Sequence, residues 1–345
     1  MKKLFIAILA VAGLAACSQD MTLETPKGAA IAVDNAFVNN STRATDITAD
    51  NLLDFGVYGS VVNNQGQQGL IFNNQEVEKS GNAYSYSPAQ YWIADAQYDF
   101  VAIAPYTNAK WAYTTTDAKN GTLSFNNADA QGEQDLLFAY TKPAKTEANI
   151  TTAPAKVGFT FGHLLSKVAF TFKNTFTDGN ISLKVYDVKI TNTAASGSVA
   201  VANGVVGEWE DTNTNNDYIR AFGPATADTV AEIKNGKNLT TEYFYLIPVQ
   251  REYKVSFKVD IYQAGVKLDT YTHNITTTIN LEKGKSYSLS ANLAPNNVNP
   301  NSQLYPIEFK VNDITDWTQA TQDIVSNNYY IGYKGLKPLV APNKQ

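Results

Sequence analysis

One stretch of the chain decides the fold class: Tyr253-Lys254-Val255-Ser256-Phe257-Lys258-Val259-Asp260-Ile261-Tyr262. Successive side chains of a β-strand point to opposite faces, so the valines, the phenylalanine and the isoleucine share one face and the charged side chains share the other. One buried face and one solvated face are typical of an antiparallel sheet that packs in a sandwich. The stretch therefore predicts a β-sandwich.

Similar β-strand patterns occur along the chain from residue 53. Short runs rich in valine, isoleucine, tyrosine, phenylalanine and threonine alternate with clusters of asparagine, glycine, aspartate and serine; the clearest runs are 55–61, 99–104, 136–140, 167–172 and 182–190. Beyond residue 17, no window of about a dozen residues keeps a helical apolar stripe. We therefore predict an all-β protein whose turns are spaced as sandwiches require.

A domain boundary is expected near the middle of the chain. The length of 345 residues suits about two domains of roughly 150 residues each. The stretch 142–156 contains Pro143 and Pro154 and few apolar residues, so it is either a linker or a loop between strands. A boundary there predicts a first sandwich at 44–156 and a second at 157–325.

The composition argues against most enzyme classes. The chain has 20 tyrosines and 16 phenylalanines but only 2 histidines and 1 cysteine, so the usual metal ligands and general bases are almost absent. A net charge of −5 does not indicate the excess of basic residues that nucleic-acid binding requires. We expect no catalytic residue, no metal site, no cofactor and no nucleic-acid partner.

The few candidate chemical groups have simpler structural interpretations. His163 has no carboxylate or nucleophile close by in sequence, so we expect a structural histidine at the start of a strand. His273 lies in a threonine-rich run and is expected at the surface or across from a neighbouring strand. The loop 211–217 begins like an EF-hand, but Asn216 and Phe222 stand where glycine and glutamate are required. A solvated loop is preferred there over a looser cation site.

Aromatic residues are dense in the first half of the chain: Tyr84, Tyr86, Tyr91, Trp92, Tyr98, Tyr106, Trp111 and Tyr113. An exposed platform of such rings could stack on sugars. Aromatic residues are also ordinary strand residues that fill the core of all-β proteins. We expect the core position for most of them.

The N-terminus has the pattern of an export signal. Lys2 and Lys3 precede the apolar run 4–14, and Leu14-Ala15-Ala16-Cys17 follows, so residues 1–17 are predicted to be a signal peptide. The end of this pattern resembles a bacterial lipobox, in which the cysteine is acylated. An ordinary secretory signal with a chance cysteine is the alternative. Acylation at Cys17 would tether the protein to the outer membrane by its lipid chains.

Residues 18–43 resemble a polar tether with one apolar patch, 29–38, which could pair as a short strand. Arginine occurs only at Arg43, Arg220 and Arg251. The first of these lies in a small, polar stretch, which is the kind of segment that proteases cut.

Several soft motifs follow one another in a fixed order. They are Tyr91-Trp92, the stretch 98–106, Asp135-Leu136-Leu137-Phe138-Ala139, the stretch 161–168, the stretch 281–287, and Ile314-Thr315-Asp316-Trp317. Behind a lipobox, this order resembles the fimbrillin family of Bacteroidales, the type V pilins and their Mfa-like relatives. The resemblance implies two tandem transthyretin-like β-sandwich domains in a surface lipoprotein precursor.

The resemblance also implies processing and assembly. An arginine-specific protease would cut between Arg43 and Ala44 and so remove the first strand. A sheet that has lost a strand is a template for another one, which a second subunit would donate. The partners implied are other copies of the chain, related fimbrial subunits, and host or bacterial surface ligands.

The chain continues from Thr318 to Gln345 beyond the closing motif. We predict that the tail 326–345 is the donor strand of a stalk subunit, through Tyr329, Ile331, Tyr333, Leu336, Leu339 and Val340. Pro338 and Pro342 cannot donate to a ladder, so they should lie at a free edge or beyond the paired part. The alternative is that the tail folds back on its own domain.

Three functions are therefore compared. The first is a stalk subunit of a cell-surface fimbria that supports adhesion, and the second is a surface glycan-binding lipoprotein. A glycosidase that works with carboxylates alone ranks third, because no acidic pair can be singled out. A strand from the N-terminal segment in a groove of the first domain would favour the fimbrial subunit, whereas exposed, clustered tryptophan and tyrosine would favour glycan binding.

Overall fold

The computed structural model describes residues 29–38, 47–130, 132–150, 153–212, 220–222, 226–301 and 307–317. The strands are β1 (Val33–Val38), β2 (Asp54–Val62), β3 (Gln68–Ser80), β4 (Ala83–Ser85), β5 (Gln97–Ala104), β6 (Trp111–Asp117), β7 (Asn120–Asn126), β8 (Leu137–Thr141), β9 (Val157–His163), β10 (Ser166–Asn174), β11 (Ile181–Thr191), β12 (Ser196–Ala202), β13 (Val205–Asp211), β14 (Arg220–Phe222), β15 (Ile233–Lys234), β16 (Asn238–Thr240), β17 (Phe244–Leu246), β18 (Arg251–Gln263), β19 (Val266–Ile279), β20 (Lys285–Leu293) and β21 (Lys310–Asp316). A single helical turn, α1 (Asn127–Ala130), and a 3₁₀ turn at Ala227–Thr229 complete the described elements. The predicted all-β fold of sandwiched sheets is confirmed.

Two sheets, built mainly from the N-terminal half of the chain, pack on each other. Sheet I has the strand order β1-β9-β8-β5-β2-β3-β4, and sheet II has the order β13-β12-β7-β6. One face of sheet I packs on sheet II. The other face of sheet I covers a second hydrophobic core, the inner core, which includes Phe55, Phe100 and Phe161. Both faces are therefore buried, and β2 and β5 are nearly continuous runs of buried residues rather than alternating ones.

Strand pairing crosses the boundary predicted at residue 156. Strand β9 lies in sheet I between β1 and β8, and the hairpin of β12 and β13 extends sheet II beside β7. Strands from both sides of residue 156 therefore share two of the sheets. The division into 44–156 and 157–325 stays a prediction.

The second half of the molecule is a sandwich of two further sheets. Sheet III has the order β16-β10-β20-β21 with β17 beside β10, and sheet IV has the order β14-β11-β18-β19 with β15 beside β11. The alternation in β18 is confirmed, because Val255, Phe257 and Val259 are buried against sheet III. The ring centroids of Phe257 and Phe172 lie 4.7 Å apart.

The polar face of β18 is less solvated than its sequence predicts. Asp260 is fully buried although it lies on the outward face. Its carboxylate is 2.8 Å from the Lys267 ammonium and accepts a hydrogen bond of 2.7 Å from the Thr270 hydroxyl, and both residues lie on β19. The ion pair and hydrogen bond to the neighbouring strand offset the cost of removing this carboxylate from water.

His273 lies across from β18 and inside the core. It is paired with Phe257 in the ladder between β18 and β19, and the two rings stack with centroids 5.0 Å apart. The predicted cross-strand position is confirmed, but a surface position is wrong because only 5% of the residue is exposed. Burial lowers the pKa of His273, and a hydrogen bond with the backbone of Val298 opposes part of that shift.

The lowered pKa of His273 predicts a pH dependence of stability. The unfolded chain binds a proton near the ordinary histidine pKa of about 6.5, whereas the folded chain keeps the ring neutral to lower pH. The stabilising contribution of the neutral ring is therefore present above pH ~6.5 and is lost as the pH falls through the folded-state pKa. Denaturant unfolding at several pH values should show wild-type losing stability on acidification relative to His273→Phe. Parallel stability curves would contradict this expectation.

Candidate functional site

The N-terminal segment 29–38 lies along one edge of sheet I. Strand β1 runs parallel to β9, with Val33 opposite Val157 and Val38 opposite Phe161. The amide of Val157 donates a hydrogen bond of 2.8 Å to the carbonyl of Ala32. The apolar patch predicted to pair as a strand is confirmed as one.

The same segment also contacts the far end of sheet I. The amide of Ile31 donates to the carbonyl of Gln90 at 2.8 Å, and the amide of Trp92 donates to the carbonyl of Ala29 at 3.1 Å. The Tyr86 hydroxyl donates to the carbonyl of Ile31 at 2.6 Å. The segment therefore joins β9 to the stretch 86–92 and closes sheet I around its inner core.

The side chains of the segment alternate, with one irregularity. Ile31, Ala36 and Val38 are buried in the inner core, and Ala29 and Val33 pack against it partly buried. The pairing register shifts between Val33 and Ala36, where three steps of β1 lie opposite two steps of β9. This is a β-bulge, and it restores the inward direction of the side chains after the extra residue.

The core beneath the segment is aromatic. The Phe55 ring lies 5.2 Å from Tyr84, 5.6 Å from Phe159 and 5.3 Å from Phe161, measured between centroids. Phe159 and Phe161 belong to β9, the strand that pairs with β1. Loss of the segment would therefore uncover the aromatic core and the paired edge of β9 together.

The energetic effect of such a loss can be bounded. Burying an aliphatic side chain such as isoleucine or valine contributes about 1.5–3 kcal/mol. Ile31 and Val38 are buried to at least nine-tenths of their surface, so their packing alone contributes on the order of 5 kcal/mol. The amide of Val157 and the carbonyl of Gln90 would also lose their partners in the segment.

The aromatic residues singled out in the sequence are mostly in the core, as expected. Tyr84, Trp92, Tyr98, Trp111 and Tyr113 are buried. Tyr86 and Tyr106 are half-buried, and Tyr91 is 41% exposed. The stretch therefore presents one exposed ring rather than a platform for sugar stacking.

His163 has a carboxylate partner that the local sequence did not reveal. Its Nδ1 lies 2.8 Å from a carboxylate oxygen of Asp135, and both side chains are at most 1% exposed. His163 ends β9 rather than beginning a strand, and the Trp317 ring stacks on it with centroids 4.0 Å apart. Both side chains of the pair are buried beneath the Trp317 ring. A structural role for His163 stays a prediction.

Trp317 closes the described part of the chain. Its other neighbour is the Tyr245 ring, which is nearly parallel to it at 5.3 Å, and the Lys167 ammonium lies 5.5 Å from the indole. The amide of Trp317 donates to the carbonyl of Gly284 at 2.8 Å. These contacts fix the chain immediately before the tail.

The candidate cation loop is described only at its start. The carboxylate of Asp211 pairs with the guanidinium of Arg251, and residues 213–219 lie outside the described residues. Across the described ranges, no three histidine, cysteine, aspartate or glutamate side chains are grouped as metal ligands. The described helices include none long and apolar enough to cross a membrane.

Several predicted site residues lie outside the described ranges. They are Cys17, Arg43, Ala44 and the donor-strand residues Tyr329, Ile331, Tyr333, Leu336, Leu339 and Val340. Their roles stay predictions. Of the predicted features that the structure does describe, the N-terminal strand is the one that lies at the edge of a sheet.

A family model described as fimbrillin-like matches residues 42–317. The chain belongs to the fimbrillin-like family. The resemblance predicted from the motifs is thereby confirmed, and membership supports a fimbrial or adhesion role at the cell surface, assembly with other subunits, and a structural rather than an enzymatic protein. No curated protein matches the chain.

Among solved structures, this fimbrillin-like chain is similar to several candidate cell adhesion proteins. One from Bacteroides ovatus is 16% identical, with 86% of this chain and 100% of that chain covered and a TM-score of 0.48. One from Bacteroides uniformis is 16% identical, with 85% and 100% covered and a TM-score of 0.48. One from Parabacteroides distasonis is 11% identical, with 85% and 98% covered and the same TM-score of 0.48.

The burial of Ala36 makes the edge strand of this fimbrillin-like protein testable. Ala36→Asp places a carboxylate in the inner core and should detach β1, at a cost of about 1–3 kcal/mol or more. Hydrogen exchange at the Val157 amide, which bonds to Ala32, should accelerate about tenfold or more.

Phe37→Asp is the matched control, because the neighbouring Phe37 side chain is 51% exposed. It should leave exchange at Val157 nearly unchanged. Equal acceleration in both variants would show that β1 is not held by its inward side chains.

Proposed function

We propose that the chain is a structural stalk subunit of a cell-surface fimbria. It is exported as a lipoprotein acylated at Cys17, cleaved between Arg43 and Ala44, and polymerised by donor-strand exchange. The observation that carries this proposal is the position of segment 29–38. It closes sheet I over an aromatic core, and it precedes the proposed cleavage site in the sequence.

The arginines support a single processing site. Arg220 lies in β14, where it pairs with Ile190 on β11. Arg251 begins β18, its side chain is 17% exposed, and its guanidinium bonds to Asp211 and to the carbonyl of Asn192. Proteases prefer exposed, irregular segments. Arg220 and Arg251 both lie in paired strands, whereas Arg43 lies in a small, polar stretch of sequence, so Arg43 is the favoured site.

The location of Arg43 in the sequence also suits release of one strand. Strand β1 ends at Val38, and the next strand, β2, begins at Asp54. A cut after Arg43 therefore falls between the described strands β1 and β2 and leaves 29–38 held by noncovalent contacts alone. Once the segment leaves, the edge of β9 and the inner core are free to accept another strand.

The donor is proposed to be the tail of a second copy or of a related subunit. The tail follows Trp317, whose ring packs between His163 and Tyr245. A tail of this length favours a stalk position, because a tip subunit needs no donor strand. Adhesion to host or bacterial surfaces is a property of the assembled fimbria.

Glycan binding through aromatic side chains is less well supported. Five of the eight candidate aromatic residues are buried and two are half-buried. Rings that stack on sugars must reach solvent, so the aromatic cluster does not favour the glycan-binding function.

Cleavage and assembly can be tested together. Protein that starts at Ser18 should be cut after Arg43 by an arginine-specific protease and should then form a ladder of oligomers, seen by N-terminal sequencing and size analysis. Deletion of residues 326–345 should abolish the ladder but not the cut, and Arg43→Gln should abolish both. A cleaved protein that stays monomeric would overturn the assembly proposal, and a resistant Arg43 would overturn the processing proposal.

A further inference from the structure

Segment 29–38 has an irregular inward pattern. Its core-facing residues are Ala29, Ile31, Val33, Ala36 and Val38, so the steps between them are two, two, three and two residues. The three-residue step is the bulge. The exposed residues between them are Ala30, Ala32, Asp34 and Phe37.

The tail contains the same pattern. Apolar residues follow the steps two, two, three and two at Tyr329, Ile331, Tyr333, Leu336 and Pro338. Between them, Lys334 and Lys337 fall at the positions of the exposed Asp34 and Phe37. No other frame of 318–345 places apolar residues at all five positions in this direction.

We propose that the tail of one copy replaces segment 29–38 of the next copy in this register, parallel to β9. Ile331 then occupies the place of Ile31, Tyr333 that of Val33, Leu336 that of Ala36, and Pro338 that of Val38. The glycine at 335 falls at the bulge position, where an irregular backbone suits it. This assignment rests on the proposed donor-strand function.

Backbone hydrogen bonding selects the direction of the tail. Reversal also places apolar residues inward, but it brings Pro338 to the position of Ile31. The amide of Ile31 donates to the carbonyl of Gln90 at 2.8 Å, and proline has no N–H to replace it. Reversal also places Tyr333 where the small Ala36 is buried. In the parallel direction Pro338 takes the place of Val38, the last residue of β1, so no later residue of the strand depends on pairing beyond it.

An open cavity lies beside two of the three positions at which the tail carries a larger side chain than the segment; the third is Leu336 at the place of Ala36. The cavity has a volume of about 490 Å³, and its lining includes Trp92 and Val157. Trp92 bonds to Ala29, and Val157 pairs with Val33. The tail carries Tyr329 and Tyr333 at those two positions, so its bulkier side chains fall beside existing space.

In this register the donor strand is shorter than the one predicted from the sequence, which extended to Val340. Leu339 and Val340 lie beyond the place of Val38 and outside the paired part. Of the six donor residues predicted from the sequence, Tyr329, Ile331, Tyr333 and Leu336 remain inward, and Pro338 joins them.

Disulfide cross-linking tests the register. Phe37 lies opposite the exposed Thr160 on β9, so Lys337 of the donor copy should lie there in the polymer. Neighbouring strands are about 4.8 Å apart, which suits a disulfide. The chain has 1 cysteine, at position 17, so protein that starts at Ser18 supplies a cysteine-free background.

Thr160→Cys with Lys337→Cys should polymerise after cleavage and then form disulfides between copies on oxidation. In the reversed direction position 332 would lie opposite Thr160, so the pair Thr160→Cys with Gly332→Cys detects reversal. After a shift of two residues position 335 would lie there, so the pair Thr160→Cys with Gly335→Cys detects that shift. Both control pairs should cross-link severalfold less.

The outcomes separate the two proposals. Preferential cross-linking at 332 or 335 within normal polymers would overturn the register but not donor-strand exchange. Wild-type protein that is cleaved and never polymerises would overturn donor-strand exchange, and the register with it. Position 337 faces outward in this register, so failure of Lys337→Cys alone to polymerise would also count against the register.

Discussion

The parallel pairing of β1 with β9 is the contact on which the first half of the molecule depends. The segment bonds to β9 on one side and to the stretch 86–92 on the other, so it closes sheet I into a nearly continuous wall around its aromatic core. A buried sheet edge needs partners for its N–H and C=O groups. The same requirement makes the segment stabilising, and under the proposed processing it would make the vacated edge a site for another strand.

The rest of the molecule holds that edge in a fixed shape. Strand β9 ends in His163, which is bonded to Asp135 and covered by Trp317. Sheet II supports the opposite face of sheet I, and it includes the hairpin β12–β13 from later in the chain. If the segment is released as proposed, the edge it leaves would need such support to keep its shape, because uncovered apolar side chains favour burial against one another.

Local pattern predicted much of this fold, and its failures have physical reasons. Alternation identified β18, and the apolar patch identified the N-terminal strand, because both signals lie within a few residues. The pairing of Val199 with Leu123 across the predicted boundary depends on contacts distant in sequence, which no local pattern encodes. The partnership of His163 with Asp135 was missed for the same reason. The burial of Asp260 has another cause: its partners Lys267 and Thr270 are close in sequence, but strand alternation places the carboxylate on the outward face and does not show the pairing across the hairpin of β18 and β19. The bulge in β1 was not predicted, because it shows only in the register between β1 and β9.

The anchorage of Trp317 has a mechanical consequence. In a fibre, tension on the tail would enter each subunit at this residue and pass into β21, which lies antiparallel to β20. Force directed along β21 loads the hydrogen bonds of that ladder together in shear rather than one at a time. The stacked His163 and Tyr245 rings lie at the point of entry, and His163 is the last residue of β9, the strand that pairs with segment 29–38. The edge that would accept the donor strand of one subunit and the residue through which tension would enter are thus connected by the short strand β9.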